Sequence, residues 1–523
     1  MSTLTNEIAG LPAQAAGHTK TGLAPESAYE AAADPAVSGI SPDPVPIPAA
    51  VPAPDGFNDV MASVDTIAAI ATPLGSGGIG IVRISGPQAL YLLERLFIGP
   101  LPAVEMESHR LYLGRVLDAS GRLQDRALAV LMRSPHSYTG EDVAEFQLHG
   151  GPRVLAAVLQ AALDCGARLA TPGEFTLRAF LNGKLDLSQA EAVADLIAAK
   201  TPRASRLAAG WLQGGLGRAV EQIEQELTAI YGTVVVGVDF PDDADAAKPH
   251  ATEQALRQLA RRIREEVLAG AGLSRVCREG VRAALVGQVN AGKSSLLNAL
   301  LAEERAIVTD LPGTTRDVLE ETVDLDGVPL LLADTAGLRD EAAADAAEQQ
   351  GMARSRQRAD SAQLVLVVID GGKGCASEDV KLLQQAGSRG LALLNKCDLL
   401  SPAEIAALTR KVSQYLPEED IVALSAKSGA GLNELRQALR RRVLDGPDAE
   451  AQSPLVANAR QEQALRRAAE LLEQCAEAIA AGEEVDVAAV DIEEALSTLG
   501  EISGRTASEE VLEHIFANFC LGK

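Results

Sequence analysis

From Val281 onward the chain reads as short, continuous apolar runs: Val281 to Val286, Val328 to Leu332, Leu364 to Ile369, Leu391 to Leu394 and Ile421 to Leu424. Helical stretches separate them. Strands buried on both faces and spaced by helices predict a parallel sheet wrapped by helices over residues 280–447. Ahead of it, over 62–182, the strand-like runs Ile79 to Ile84 and Ala127 to Leu131 alternate with helical text such as Val154 to Leu163, an α/β or α+β pattern. Two helix starts are predicted next. Thr171-Pro172-Gly173-Glu174 sets a capping hydroxyl before a proline at the first helical position, with a glutamate three residues on. Ser188-Gln189-Ala190-Glu191 repeats the hydroxyl-to-glutamate spacing. Residues 183–279 and 448–523 read as mainly helical, the first part interrupted by the short run Thr233 to Phe240. Helical text on both sides of an α/β domain predicts that one domain is inserted into another.

Composition changes the picture at the N-terminus. Residues 1–61 are rich in Ala and Pro around Ser41-Pro42-Asp43-Pro44-Val45-Pro46-Ile47-Pro48, which predicts a disordered extension. No apolar run reaches the roughly 18 to 20 residues of a membrane-spanning helix. Six cysteines without a CxxC pair point to a reducing compartment, and the N-terminus has neither a secretory nor an Arg-rich transit layout, so a cytoplasmic protein is expected. The 47 basic residues face 72 acidic ones, a net charge of −25. The extension carries seven acidic residues against Lys20 alone, about −6 of that total. The remainder argues against gripping nucleic acid by a broad phosphate-neutralising surface. Two Arg-rich stretches, Arg257 to Arg264 and Arg436 to Arg442, are left to face solvent or RNA.

The candidate chemistry starts directly after the first strand of the α/β segment. Gly287-Gln288-Val289-Asn290-Ala291-Gly292-Lys293-Ser294, followed by Ser295, matches the phosphate-binding loop G-x-x-x-x-G-K-[ST]. Its backbone N–H groups can wrap phosphates, Lys293 can reach the β/γ-phosphates and the Ser294 hydroxyl can ligate Mg²⁺. Thr314-Thr315 follow in a Gly-containing loop, where a hydroxyl can complete the Mg²⁺ shell. Asp334-Thr335-Ala336-Gly337 ends a strand, the aspartate aimed at the metal through water and the Gly337 N–H at the γ-phosphate. Asn395-Lys396-Cys397-Asp398 and Ser425-Ala426-Lys427 end two more. A carboxylate at Asp398 can accept two hydrogen bonds from guanine N1 and N2, which adenine cannot supply. In this order the segments indicate GTP. Leu338 stands where many small GTPases carry a water-orienting glutamine, so water must be oriented by another group. Asn290 is either a ligand for a monovalent cation beside the phosphates or a turn residue.

From about Val64 to Lys523 the chain resembles the tRNA-modifying GTPases called MnmE or TrmE. The resembling segments are Asp65-Thr66-Ile67 through Ile84-Ser85-Gly86, Tyr138-Thr139-Gly140-Glu141-Asp142, His149-Gly150-Gly151-Pro152, Pro172-Gly173-Glu174-Phe175, Ala179-Phe180-Leu181-Asn182, Asp239-Phe240-Pro241, the GTPase set and the terminal Phe519-Cys520-Leu521-Gly522-Lys523. The resemblance implies a multidomain α/β plus α protein. Its parts would be an N-terminal folate-binding and dimerisation domain (62–182), a helical domain in two parts (183–279 and 448–523) and an inserted GTPase domain (280–447).

The implied activity is GTP hydrolysis in tRNA wobble-uridine modification at carbon 5, installing an aminomethyl or carboxymethylaminomethyl group. A tetrahydrofolate derivative would supply the carbon, and an FAD- and NADH-dependent partner would join it in a heterotetramer. Matching positions place Arg83, Glu145, Lys184 and Lys523 in the folate site. Read from the residues alone, Arg83 and Lys184 are solvated surface charges. The resemblance also implies GTPase domains that pair across the nucleotide, with K⁺ held by Asn290, Thr309, the Leu311 carbonyl and Thr314. Mg²⁺ would be held by Ser294 and Thr315, and Glu348 would position the hydrolytic water. Arg339 is an alternative as an arginine finger or a surface ion-pair residue.

Cys520 has two readings: a nucleophile toward uridine C6, with only His514 as a candidate base, or a packed thiol beside the folate. Two other classes compete with the enzyme. One is an RNA-binding switch in ribosome assembly, which needs no folate pocket. The other is a folate-binding scaffold, which needs no K⁺-dependent hydrolysis.

Overall fold

The structure is a computed structural model that describes residues 65–73, 75–239, 249–305, 321–325, 327–332, 362–444, 454–482, 485–520 and 522–523. The expected disordered extension, 1–61, lies outside the described residues.

Alternation builds the first sheet. Its strands are β1 (Ile67–Ile70), β2 (Ile79–Ser85), β3 (Phe97–Ile98), β4 (Leu111–Leu117), β5 (Leu123–Met132), β6 (Val143–His149) and β7 (Arg168–Leu169), in the order β3-β4-β5-β6-β2-β1-β7. Only the β1–β7 pair is parallel. One face is covered by α1 (Ala89–Leu96) and α2 (Pro152–Asp164), whose Leu92, Leu96, Leu155 and Val158 pack with Val82, Ile84 and Phe146. Pro152 opens α2 at a position where its missing N–H costs nothing.

Helices follow: α3 (Glu174–Leu181), α4 (Leu187–Ala198), α5 (Pro202–Trp211), α6 (Gly215–Asp239), α7 (Pro249–Arg262) and α8 (Ala271–Glu279). Three local expectations need correcting. The N-cap of α3 is Gly173, not Thr171, because the Glu174 side chain is drawn into a buried set of arginines, although it still accepts the Thr171 N–H at 2.8 Å. The N-cap of α4 is Asp186, two residues before the expected Ser188. Its carboxylate accepts the Gln189 N–H and the Ser188 hydroxyl, and the Gln189 side chain accepts the Asp186 N–H in return. The run from Thr233 does not break the helix either: α6 continues to Asp239. Burial of Val234 in the helical core outweighs the weak helix preference of β-branched residues.

The second sheet comprises β8 (Val281–Gly287), β9 (Glu321–Leu325), β10 (Val328–Leu332), β11 (Leu364–Asp370), β12 (Gly390–Asn395) and β13 (Ile421–Ala423), in the order β13-β12-β11-β8-β10-β9. The five strands expected are present, but the sheet is not wholly parallel, since β9 runs antiparallel to β10. Its alternating Thr322, Val323, Asp324 and Leu325 gave no continuous apolar run. Helices α9 (Lys293–Arg305) and α12 (Leu432–Leu444) pack over one face, where Leu296, Leu300, Leu435 and Leu439 meet Leu366 and Leu393. Helices α10 (Ser377–Ala386) and α11 (Pro402–Val412) cover the other, where Leu383 and Val412 meet Val365, Val367 and Leu394.

The chain closes with α13 (Ala459–Ala481), α14 (Val485–Ser503) and α15 (Glu509–Ala517). Leu465, Leu472, Ile492 and Leu499 share a core with Ile223, Leu227, Leu256 and Ile263, so helices before and after the second sheet form one bundle. Trp211 fastens α5 to the returning chain by donating its indole N–H to the Pro454 carbonyl at 2.7 Å. The last helix docks on α3 and α4 through Phe516 and Phe519, against Leu177 and Leu187. No helix among the described residues is long and apolar enough to cross a membrane.

Candidate functional site

The loops at the carboxyl ends of β8, β11, β12 and β13 meet one another, the usual place for a ligand on such a sheet. Between β8 and α9 the phosphate loop turns through Asn290, which adopts a left-handed conformation at φ 64°. Lys293 opens α9 and is buried, and its Nζ donates to the Gly287 and Gln288 carbonyls at 3.0 Å each. Ser294 is half-buried and Ser295 exposed.

Asn395 joins this loop to the other two. Its Nδ2 donates to the Ala291 carbonyl at 2.8 Å, and its Oδ1 accepts the N–H groups of Lys396 (2.8 Å) and Ala426 (3.0 Å). The side chain is fully enclosed, so these contacts satisfy it where water cannot. A Cβ on Gly292 would fall 2.2 Å from the Asn395 Nδ2, which makes glycine mandatory there. Lys396, also left-handed, donates through Nζ to the Asn290 carbonyl (2.8 Å) and to Asp370 Oδ2 (2.7 Å). Ser425 is buried and its Oγ accepts the Ser428 N–H, closing the loop that carries Ala426 and the exposed Lys427. Asp398 is exposed on the rim, free to meet a base edge.

Asp370 was missed in the sequence. It ends β11 in register with Asn395, and its other oxygen accepts the Gly372 N–H at 3.0 Å. An acidic residue closing an otherwise apolar strand was the available signal. Thr309, Leu311, Thr314, Thr315, Asp334, Thr335, Ala336, Gly337, Arg339 and Glu348 lie outside the described residues.

A second constellation sits on the first sheet. Arg83 and Glu145 are cross-strand partners on β2 and β6, and Arg83 Nε donates to Glu145 Oε1 at 2.7 Å. The guanidinium lies 5.8 Å from the Tyr138 ring centre and 5.7 Å from that of Phe175, within cation–π range. Lys523 is half-buried beside the pair. Burial pushes its pKa down and the Arg83 charge adds to this, while Glu145 pulls it back. Gly522 seats the terminus at φ 90°, where a Cβ would meet the Ile70 carbonyl at 2.4 Å. Arg83, Glu145 and Lys523 are thus brought together, and Arg83 is not the solvated charge that its residue type alone suggests. Lys184 makes other contacts: it is exposed and donates to the Pro135 carbonyl at 2.9 Å. Cys520 is exposed.

The resembling segments converge on a buried ionic network. Arg168 pairs with Asp65 (2.6 Å) and Glu174 (2.7 Å). Arg178 pairs with Asp65 (2.5 Å), Glu174 (2.9 Å) and Glu141 (3.2 Å). Ser85 donates to Glu141 and shares a hydrogen bond with Thr139. Burial raises the Asp65 pKa, but the hydrogen bonds and charges of both arginines outweigh it and hold the carboxyl at about 2. Asp65, Glu141 and Glu174 therefore clamp β1, the Tyr138–Asp142 loop and α3 around the Arg83 site.

The two basic stretches, one on α7 and its extension in the helical bundle and one on α12 over the second sheet, carry ion pairs. Arg257 pairs with Glu253, Arg262 with Glu226, Arg264 with Glu473, and Arg442 with Asp420.

A family model described as the MnmE helical domain matches residues 187–520, and one described as GTP-binding protein TrmE N-terminus matches residues 66–184. The tRNA modification GTPase MnmE of Roseiflexus sp. is 45% identical over 464 residues, 88% of this chain and 99% of that protein. That of Symbiobacterium thermophilum is 45% identical over 463 residues, again 88% and 99%. A solved structure of Era, in complex with MgGDPNP and a segment of 16S ribosomal RNA, is 23% identical. It covers 37% of this chain and 66% of its own, with a TM-score of 0.25.

Proposed function

The chain belongs to the MnmE family of tRNA modification GTPases, and from that membership we propose that its GTP cycle serves the addition of an aminomethyl or carboxymethylaminomethyl group to C5 of the wobble uridine. The observation that carries the GTP part is Asn395, whose amide bonds the phosphate loop at Ala291 and the Ser425–Lys427 loop at Ala426 together. Phosphate and base loops are then preorganised before nucleotide arrives, which lowers the ordering cost of binding. The exposed Asp398 carboxylate selects guanine, and Lys293 serves the β/γ-phosphates.

Mg²⁺ would be held by the Ser294 and Thr315 hydroxyls, hard oxygen donors suited to it. It would neutralise charge developing on the phosphates. K⁺ would be held by Asn290, Thr309, Leu311 and Thr314, supplying the positive charge that an arginine finger provides elsewhere. Asp334 and Glu348 would orient water. The left-handed turn at Asn290, its carbonyl held by Lys396, suits a turn residue equally, and the cation role rests on the family membership.

We assign the folate carbon donor to Arg83, Glu145 and Lys523, with Lys184 at the margin. The carboxylate would pair with the amino-pterin edge and the cations with the glutamate tail. Cys520, exposed beside Lys523, would face the same site as a nucleophile. The main clusters support a folate-binding and dimerising domain over 62–182, a helical domain from 183–279 and 448–523, and a GTPase domain over 280–447, with Leu273 and Cys277 of α8 packing on the second sheet. The ion-paired arginines of the bundle favour a small tRNA contact shared with an FAD/NADH-dependent partner protein. Steady-state GTP turnover in K⁺ against Na⁺ tests the cation assignment. Equal rates in the two salts would remove it.

A further inference from the structure

The phosphate loop has one anchor outside the nucleotide motifs. Gln288, its second residue, bears on the loop through its backbone: the carbonyl accepts the Ala291 N–H at 3.2 Å and Lys293 Nζ at 3.0 Å. Its side chain points the other way, and the amide Nε2 donates to Asp379 Oδ2 at 2.9 Å. Asp379 stands in the first turn of α10, on the opposite face of the sheet from α9.

Asp379 is only 2% exposed. Its Oδ2 also accepts the Ala376 N–H at 3.0 Å, while Oδ1 is buried without a hydrogen-bond partner among the described residues. Burial raises its pKa, and the nearby Glu378 and Asp370 push in the same direction against the Ala376 and Gln288 donors. As the third residue of α10, Asp379 accepts the N–H of the N-cap Ala376, a duty that a neutral glutamine performs with less charge to desolvate. The Gln288 amide is the contact that an ordinary helix cap does not explain.

We propose that Asp379 is a positioning residue of the nucleotide site. Through Gln288 it fixes the loop carbonyl that holds Ala291 and Lys293, and so keeps the phosphate loop in its wrapped shape. It touches no reacting atom. Its effect falls on how much ordering the loop needs when phosphates bind.

The test uses the full chain and fluorescent GDP and GTP analogues in equilibrium titrations, with steady-state GTP hydrolysis alongside. Gln288→Leu and Asp379→Ala each weaken nucleotide binding about fivefold, the worth of one intramolecular hydrogen bond. The double variant is no weaker than the worse single variant. Asp379→Asn, which keeps an oxygen facing Gln288, restores affinity to within about twofold. The loss shows more in KM than in kcat. If Gln288→Leu binds like the unaltered protein, or if the two losses multiply in the double variant, Asp379 merely caps a helix and the proposal is overturned. Should Asp379→Ala fail to fold, Gln288→Leu and Asp379→Asn decide the matter between them.

Discussion

The Thr201 hydroxyl donates a 2.7 Å hydrogen bond to the Gly327 carbonyl, both groups buried, and so ties the first turn of α5 to the tip of the β9–β10 hairpin. That hairpin connects residues 306–320 to residues 333–361, the segments that carry Thr314, Thr315 and Asp334. Arg278 makes a parallel tie: its Nε donates to Asp195 at 2.6 Å just before β8 begins. The helical bundle thus holds the nucleotide-binding sheet at the hairpin tip and at the entrance to its phosphate-loop strand.

Thr201 has a second duty, since its Oγ1 also accepts the Ala204 N–H as the N-cap of α5. Thr201→Val removes the cap and leaves the Gly327 carbonyl buried without a partner, a loss of about 1–3 kcal/mol. Thr201→Ser keeps both bonds and stays near the parent stability. Urea unfolding followed by the emission of Trp211, the one tryptophan of the chain, measures both variants from within the same helix.

In the proposed function, guanine selection would rest on Asp398, which is exposed on the rim of the site. Replacing it by Asn substitutes a donor for an acceptor opposite guanine N1 and N2, and GTP affinity falls roughly a hundredfold, as for the loss of charge-assisted bonds. Xanthosine triphosphate, which presents a carbonyl at the C2 position, binds this variant better than GTP does. Competition titrations with the two nucleotides report the reversal.

The buried network around Arg168 and Arg178 gives the N-terminal region an acid limit. Asp65 has a pKa of about 2 in the folded chain against 3.8 as a free side chain. Its contribution, roughly 2 kcal/mol at about 1.4 kcal/mol per unit, is complete above pH 3.8 and disappears as the pH falls toward 2. Glu174 is lowered in the same sense, because the arginines and the Thr171 N–H overcome its burial. Circular dichroism of the parent against Asp65→Asn from pH 5 to pH 2 shows the parent losing its advantage across that window.

Legibility followed the range of the interactions. The strands of the second sheet and the phosphate loop were readable because each is specified by a local run: apolar residues for burial, glycines and Lys293 for phosphate. Strand β9 was not, since a polar-alternating edge strand is stabilised by its neighbour β10 and leaves little signal of its own. The helix starts at Gly173 and Asp186 were misplaced where Glu174 and Gln189 chose partners that sequence spacing alone does not rank. Arg83 and Glu145, 62 residues apart, become a pair only through the β2–β6 register. The resemblance supplied that pairing's purpose; residue type could not. Asp370 and Asp379 leave no local signal because their partners, Lys396 and Gln288, lie far away along the chain.

In the proposed function, folate recognition would depend on the Arg83–Glu145 pair in its aromatic setting. Glu145→Ala frees the guanidinium and removes the group that would meet the pterin edge, so a tetrahydrofolate derivative binds at least about tenfold more weakly by calorimetry. Tyr138→Leu, which removes one ring beside Arg83, has a smaller effect in the same direction.

In the proposed function, GTP hydrolysis at Lys293 serves wobble-uridine modification. Mass spectrometry of tRNA nucleosides measures it most directly, in cells lacking the protein and supplied with either the parent chain or Lys293→Ala. The parent restores the C5-modified wobble uridines and Lys293→Ala leaves them unmodified. Modified uridine at parent level in cells carrying only Lys293→Ala would contradict the claim.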